Sequence, residues 1–497
     1  MVSKTRAALA GIAAAAIALG VAELIAVWTG PESAPLVAVG GVIVDSVPEP
    51  LKDFAITLFG VYDKIALLVG TAAVLAVVAA FIGIGAARRR WIGYAGIGLF
   101  ALIGLAAALS RPGANPLSIL PTLVGSALAL IVLFGLLEKA PAQDEDGRRD
   151  FLKWTVAAFG GAALAGAAGR VWGSSRGVEQ ARSQVSLPSP ASAAPAAPAD
   201  PPVQDLTRYV TANPEFYRID TALVAPQVDP ATWRLKIHGR VAKPLTLTFD
   251  ELLSMPMVER YITLACVSNE VGGDLIGNAK WLGVPVASLL EMVQPDPAAD
   301  QVVSRSADGW SCGTPTMVLK DGRDALIAVA MNGEPLPVEH GFPARMVTPG
   351  LYGYVSACKW ITEMELTTFA DFDAYWIRRG WAEQGPIKTQ SRIDVPRNNA
   401  RVSGGEVTIA GVAWAQHRGI SVVEVRVDGG AWQPVELAAT VSADTWRQWV
   451  YRWPAAAGKH TISVRAADAT GAVQSGNEVP IFPDGAEGWH TISVTVQ

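Results

Sequence analysis

The apolar positions of this 497-residue chain fall into two regimes that meet near residue 170. Before that point Ala, Leu, Ile, Val and Gly run in long blocks. Four of them, at 7–28, 65–87, 91–110 and 117–137, approach or exceed the length of a membrane-crossing helix. A shorter, weaker block at 154–168 reads as a fifth span or as a cleavable signal. Residues 33–60 are only intermittently apolar and carry Pro35, Pro48 and Pro50, the pattern of an extracytoplasmic loop with an interfacial or re-entrant piece.

Positive residues orient these blocks. Lys4 and Arg6 place the N-terminus in the cytoplasm. Arg88, Arg89 and Arg90 do the same for the turn between the second and third spans, and Lys139, Arg148 and Arg149 for the segment after the fourth. Four crossings bring the chain back inside, and a fifth sends the remainder out. Glu23 in the first span and Asp45, Asp53 and Asp63 in the following loop are candidates for a polar site within the membrane. The alternative is that Glu23 is hydrated at the outer interface.

Beyond the blocks the composition is that of a soluble protein. Residues 173–204 ("GSSRGVEQARSQVSLPSPASAAPAAPADPPVQ") have no apolar period and read as an extended tether. Short strand-like runs ("WRLKIHGRV", "RYITLACV") and short helical ones ("FDELLSMP", "VASLLEMV") then alternate. From about residue 390 closely spaced strands ("EVTIAGVAW", "SVVEVRVDGG", "KHTISVRAAD", "HTISVTV") suit an immunoglobulin-like sandwich without a disulfide.

Charge and composition narrow the chemistry. A net charge of −5 argues against a nucleic-acid partner. All five histidines (His238, His340, His417, His460, His490) and all three cysteines (Cys266, Cys312, Cys358) follow the apolar blocks, so no haem is expected in the membrane part. Taken alone, Cys266 in "RYITLACVSNEVGG" is a small buried hydrophobe. Its surroundings change that. "EFYRIDTALVAPQVDPATWRLKIHG", "TLACVSN", "IGNAKWLGVPVASLL" and "MNGEPLPVEHGFPARMVTPGLYGYVSACKW" follow one another across residues 216–381 in an order that resembles the sulfite oxidase family of molybdenum enzymes.

The resemblance implies a molybdopterin cofactor whose molybdenum is held by Cys266, a soft thiolate beside hard oxo groups. It implies that Tyr217 and Arg218 face the cofactor, with Arg218 orienting substrate. His340, Arg345, Ser356 and Lys359 would hold the pterin phosphate. Asn269 and Ser306 are further candidates for pterin contacts, each equally a turn former. Trp381 in "IRRGW" stands where sulfite-oxidising members carry an active-site tyrosine, so it is taken as a catalytic candidate. Glu270 and Val271 replace their two arginines, which weakens the case for a small dianionic substrate.

"GRRDFLKWTVAAFGGAALAGAAG" at 147–169 has the pattern of a twin-arginine export signal placed inside the chain. A domain folded around its cofactor in the cytoplasm needs such a route, because it cannot be threaded unfolded. The whole then reads as a transmembrane α-helical bundle (1–172), a Pro/Ala-rich linker (173–204), an α+β sulfite-oxidase-type molybdopterin domain (205–389) and an immunoglobulin-like dimerisation-type β-sandwich (390–497).

The expected function is two-electron oxygen-atom transfer at the outer face of the cell membrane, with a small-molecule or oxidised-side-chain substrate. A separate electron carrier and a homodimer are the expected partners. The rival functions are an envelope methionine-sulfoxide reductase, a sulfite oxidase, and a non-catalytic membrane scaffold with a relic cofactor domain. Cys312 and Cys358 are two spare thiols, open to oxidation outside the cytoplasm or independently buried.

Overall fold

The computed structural model describes residues 2–47, 63–140, 145–175 and 178–497, with only the backbone at 63, 145–147 and 170–175. Asp53, Pro48 and Pro50 lie outside the described residues. The chain divides into two units: Met1–Ala181 with Thr221–Gln227, and Arg182–Asp220 with Val228–Gln497.

The first unit is helical: α1 (Lys4–Thr29), α2 (Pro35–Ser46), α3 (Asp63–Arg88), α4 (Arg90–Leu109), α5 (Leu120–Lys139) and α6 (Glu145–Ser175). Five stretches are long and apolar enough to cross a membrane: Lys4–Thr29, Lys64–Arg88, Arg90–Leu109, Pro116–Lys139 and Arg148–Gly169. The piece expected at the interface is α2, which starts on Pro35. Asp45 at its end pairs with Arg111 at 2.9 Å.

Packing explains the alanine and glycine content. α1 lies against α3, α5 and α6, and the contacts are backbone to backbone. A Cβ at Gly11 would collide with the Ala79 carbonyl of α3, one at Gly20 with the Ala162 carbonyl of α6, and one at Gly125 of α5 with the Ala18 carbonyl. Large side chains point the other way: Phe81, Leu102, Ile131 and Leu164 are each more than 60% exposed. Small inside and large outside is the arrangement of helices that associate in lipid, where burying apolar area gives no drive.

The second unit holds two αβ sheets and a sandwich. One sheet runs Leu245–Thr248, Arg234–Gly239, Ile361–Thr367, Gln301–Ser306, Ser311–Pro315, with only the Arg234–Gly239 and Ile361–Thr367 pair parallel. The other runs Val258–Ala265, Ile276–Pro285, Leu326–Met331, Glu334–Pro335, with Arg345–Val347 also on Leu326–Met331. Leu235, Ile237, Val284, Leu289 and Met364 pack between the sheets and their short helices.

Residues 390–497 form a four-stranded and a five-stranded sheet face to face, around Val407, Val425, Trp449, Ile462 and Val494. The segment expected as a free tether is extended but laid on this unit: the Ala191 amide donates to the Met257 carbonyl at 2.7 Å, and the Glu259 amide to Ser192 at 2.8 Å.

Replacing Gly20 by Leu should lower the stability of the detergent-solubilised helical unit by about 1–3 kcal/mol, as overpacking does. Phe81→Leu, on the exposed face, should leave it unchanged. Thermal unfolding of both variants checks this.

Candidate functional site

The strand Val258–Ala265 pairs with Ile276–Pro285 up to Ala265 opposite Ile276. Cys266 is the first residue beyond that ladder and is half-buried. Its amide donates to the Leu275 carbonyl at 2.9 Å and closes the loop between the strands. Asn269 Oδ1 accepts from the Leu275 amide at 2.8 Å, and the Asn269 amide donates to the Cys266 carbonyl at 3.1 Å. Burial pushes the Cys266 thiol above its usual value, and the Ser268 amide, 3.4 Å from the sulfur, opposes that shift.

The sandwich braces the same loop. Gly272 has φ +79° and faces the His490 ring so closely that a Cβ would overlap it. Arg392 donates from Nη1 to the Gly273 carbonyl at 2.8 Å, and from Nε to Asp394 at 2.6 Å. Glu270 is exposed in this loop.

A second group of side chains is cationic. Arg218 Nε and Lys359 Nζ reach the same oxygen, Oδ2 of Asp220, at 2.9 and 2.6 Å. The Asp220 and Lys359 side chains are 4% and 10% exposed, so this is a buried pair. Lys359 also donates to the Glu339 carbonyl at 3.2 Å. Burial lowers its pKa to about 8, against the pull of Asp220. Asp308, close enough to feel both, is raised by burial.

Arg345 is buried over the Trp281 face, 5.1 Å from the ring centroid, and donates to the His340 carbonyl at 3.1 Å. Among the described residues no carboxylate pairs with it, and burial lowers its pKa to about 10. His340 Nε2 donates to the Asn213 carbonyl at 3.1 Å. Burial, then the Arg345 charge, lower the His340 pKa to about 4, so the ring is neutral near pH 7.

Tyr217 and Tyr352 link the two groups. Both phenols are pushed up by burial, Tyr352 to about 12, and the charge of a Cys266 thiolate raises each further. Gly353 completes the junction: a Cβ there would lie 3.8 Å from the Ala265 carbonyl and 3.9 Å from the Tyr217 hydroxyl. A half-open soft thiol stands beside buried positive charge in excess of negative. That donor set fits an anionic group needing one thiolate ligand, as molybdopterin does.

Of the residues expected at the site, Cys266, Tyr217, Arg218, His340, Arg345 and Lys359 come together. Ser356 does not serve as expected. It is fully buried, and its hydroxyl donates to the Leu351 and Tyr352 carbonyls at 3.1 and 2.9 Å. Asn269 and Ser306 are turn residues, Ser306 Oγ accepting from the Asp308 amide at 3.4 Å. Trp381 belongs to a ring cluster with Tyr354, Trp376 and Phe482, at centroid distances of 5.9, 6.2 and 5.4 Å. Cys312 and Cys358 are free thiols, both fully buried, and burial and the adjacent Cys312 raise Cys358.

Sequence reasoning missed Asp220, Asp308, Tyr352 and Arg392. An acid two positions after Arg218 was a usable signal for the first. Arg392 lies in another domain and gave none.

Comparison with known proteins agrees with this chemistry. The family described as Oxidoreductase molybdopterin binding domain matches residues 222–376, and Bacterial Ig domain matches 390–464. Mitochondrial sulfite oxidase of Homo sapiens is 30% identical over 351 residues, covering 60% of this chain and 64% of that protein. The chain thus spans less than two thirds of that relative. The uncharacterized oxidoreductase YuiH of Bacillus subtilis is 32% identical over 187 residues, 37% of this chain and 87% of YuiH. The sulfane dehydrogenase SoxCD from Paracoccus pantotrophus superposes with a TM-score of 0.51 at 24% identity, over 57% of this chain and 81% of that one, a likeness of fold.

The neutral His340 has a consequence for stability. Its pKa is lower folded than unfolded, so between about pH 6.5 and 4 the unfolded state takes up a proton that the folded state refuses. Stability contributed by the neutral ring is therefore lost as pH falls through that window. His340→Gln should flatten the decline of melting temperature from pH 7 to 4 relative to the parent, measured by thermal scans at each pH.

Proposed function

This chain belongs to the sulfite oxidase family of molybdopterin-dependent oxidoreductases, and on that premise we propose that it is a membrane-anchored enzyme of two-electron oxygen-atom transfer. Its catalytic domain would stand outside the cell membrane. The observation that carries this is Cys266, a half-buried thiol at a strand end beside buried cations. When bound, the cofactor supplies a metal that changes oxidation state by two and exchanges one oxygen atom with substrate. Cys266 would be its protein ligand. Arg345, Lys359 and His340 would hold the pterin's anionic end, the first two by charge and the neutral imidazole by hydrogen bonding.

The chain's remaining residues would shape the substrate side. Arg218 is half-exposed while tethered to Asp220, so it can present guanidinium N–H groups without leaving its ion pair. Tyr217 and Tyr352 stay protonated at neutral pH and supply O–H donors next to the Cys266 sulfur. The loop carries Glu270 and Val271 in place of cationic side chains, and Arg392 is engaged with Asp394 and Gly273. A neutral oxygen-bearing substrate such as a sulfoxide is favoured over a dianion on that observation. Reduction of a sulfoxide consumes two electrons and two protons and releases the thioether and water, so a separate electron carrier is required.

Cys266→Ala should give a folded protein without turnover, since it removes one soft ligand and little volume. The parent should turn over methionine sulfoxide with an artificial reductant and oxidise sulfite poorly. Full activity of the alanine variant would sink the cofactor assignment, and efficient sulfite oxidation would reverse the substrate preference.

Export is the second element of the proposal. Arg148 and Arg149 stand exposed on α6, at the start of the apolar stretch Arg148–Gly169, which supports an internal twin-arginine signal. Replacing both with lysine should strand the second unit in the cytoplasm while the earlier spans still insert. Protease protection from each side of the membrane reads the outcome, and an unchanged outward location would mean that the pair only anchors by charge.

A further inference from the structure

The helical unit contains a cavity of about 160 Å³ enclosed by α1, α2, α3, α4 and α5. Its walls include Gly11 and Ala18 of α1, Phe100 and Ile103 of α4, and Thr122 and Ser126 of α5. No ionisable side chain lines it. Ile103 is 45% exposed, which gives the cavity a mouth on the lipid-facing surface.

One lining group is out of place. Thr122 is 4% exposed, and its hydroxyl has no hydrogen-bond partner. A buried hydroxyl is normally paired, and each exception needs an explanation. Within a bilayer no water stands by to satisfy it. A ligand with an acceptor oxygen would.

Size narrows the class. An apolar protein cavity of about 150 Å³ holds a benzene molecule, so this one accommodates a single six-membered ring. The uncharged walls exclude a phosphate head group, and an acyl chain offers nothing to Thr122. A four-ring sterol exceeds the volume. We propose that this cavity binds the ring of a lipid quinone, with Thr122 donating to a ring carbonyl and the tail leaving past Ile103. The site is independent of the molybdopterin reading and stands or falls without it.

The test uses the full chain in nanodiscs and two probes, a decyl-substituted benzoquinone and decylbenzene, with binding measured by titration calorimetry. The quinone should bind saturably, one per chain, and more tightly than decylbenzene. Thr122→Val, which keeps shape and removes the hydroxyl, should weaken the quinone about tenfold, the equivalent of one hydrogen bond. It should not alter decylbenzene binding, and Thr122→Ser should restore the quinone.

Ser126→Phe, filling the cavity, should abolish binding of both probes. Equal affinities of the parent for the two probes would overturn the proposal and leave a hole for acyl chains. Absence of saturable binding by the parent would overturn it outright, and neither result depends on a variant that folds.

Discussion

One oxygen of Asp220 holds two cations, and the positive side of the site is built on that constraint. A buried ion pair costs desolvation on both partners, and removing one partner leaves the other buried and uncompensated. Here Lys359 is also fixed by the Glu339 carbonyl and by the face of Trp360, 4.7 Å from its ring centroid. Arg218 remains half-exposed. With Asp220 shared and Asp308 raised by burial, Arg345 is left without a carboxylate, and the surplus is positive. Gly341 makes the arrangement sterically feasible. It has φ +112°, and a Cβ there would press on Lys359 at 3.2 Å. Its neighbour His340 can therefore turn directly over the lysine.

The thiol side is fixed from further away. The strand leading to Cys266 is pinned near its start by the extended segment through Ala191 and Ser192. Near its end it is pinned by the sandwich: Gln416 Nε2 donates to the Thr263 carbonyl at 3.1 Å, and the Trp446 amide to the Thr263 hydroxyl at 2.8 Å. Asp200 joins the two supports, accepting from the Tyr209 amide at 2.6 Å and from Gln448 at 2.9 Å. A segment rich in proline has no hydrogen bonds within itself, so its peptide groups are available to dock on another strand. The sandwich therefore positions the loop after Cys266 as well as packing its own core.

That dual role marks the limit of what the sequence made legible. The order of motifs located Cys266, Arg218, His340, Arg345 and Lys359, because each lies in a short run whose residue types are tied to the cofactor's chemistry. Ser356 sits in such a run too, but whether a serine hydroxyl faces a ligand or closes onto a carbonyl depends on backbone path. Asn269 and Ser306 carried the same ambiguity, and both settled as turn residues. Composition separated the apolar blocks from the rest, and α2 emerged from a region that looked intermittent because Pro35 begins a helix instead of breaking one. The docking of residues 184–204 had no signature, since extended docked chain and extended free chain share one composition.

The two units answer opposite solvents with opposite packing. In the second, Trp281, Trp449 and Phe342 are fully buried, because water rewards hiding large apolar area. In the first, lipid removes that reward, and close backbone approach must supply the attraction through dispersion contacts. α1 meets this need with glycine and alanine, and so touches α3, α5 and α6 closely. Where α2 and α4 complete the ring, the same small residues cannot reach across, and volume is left unfilled. Water would exert strong pressure to collapse such a space. Lipid exerts little, so the cavity beside Thr122 follows from the residues that hold the bundle together.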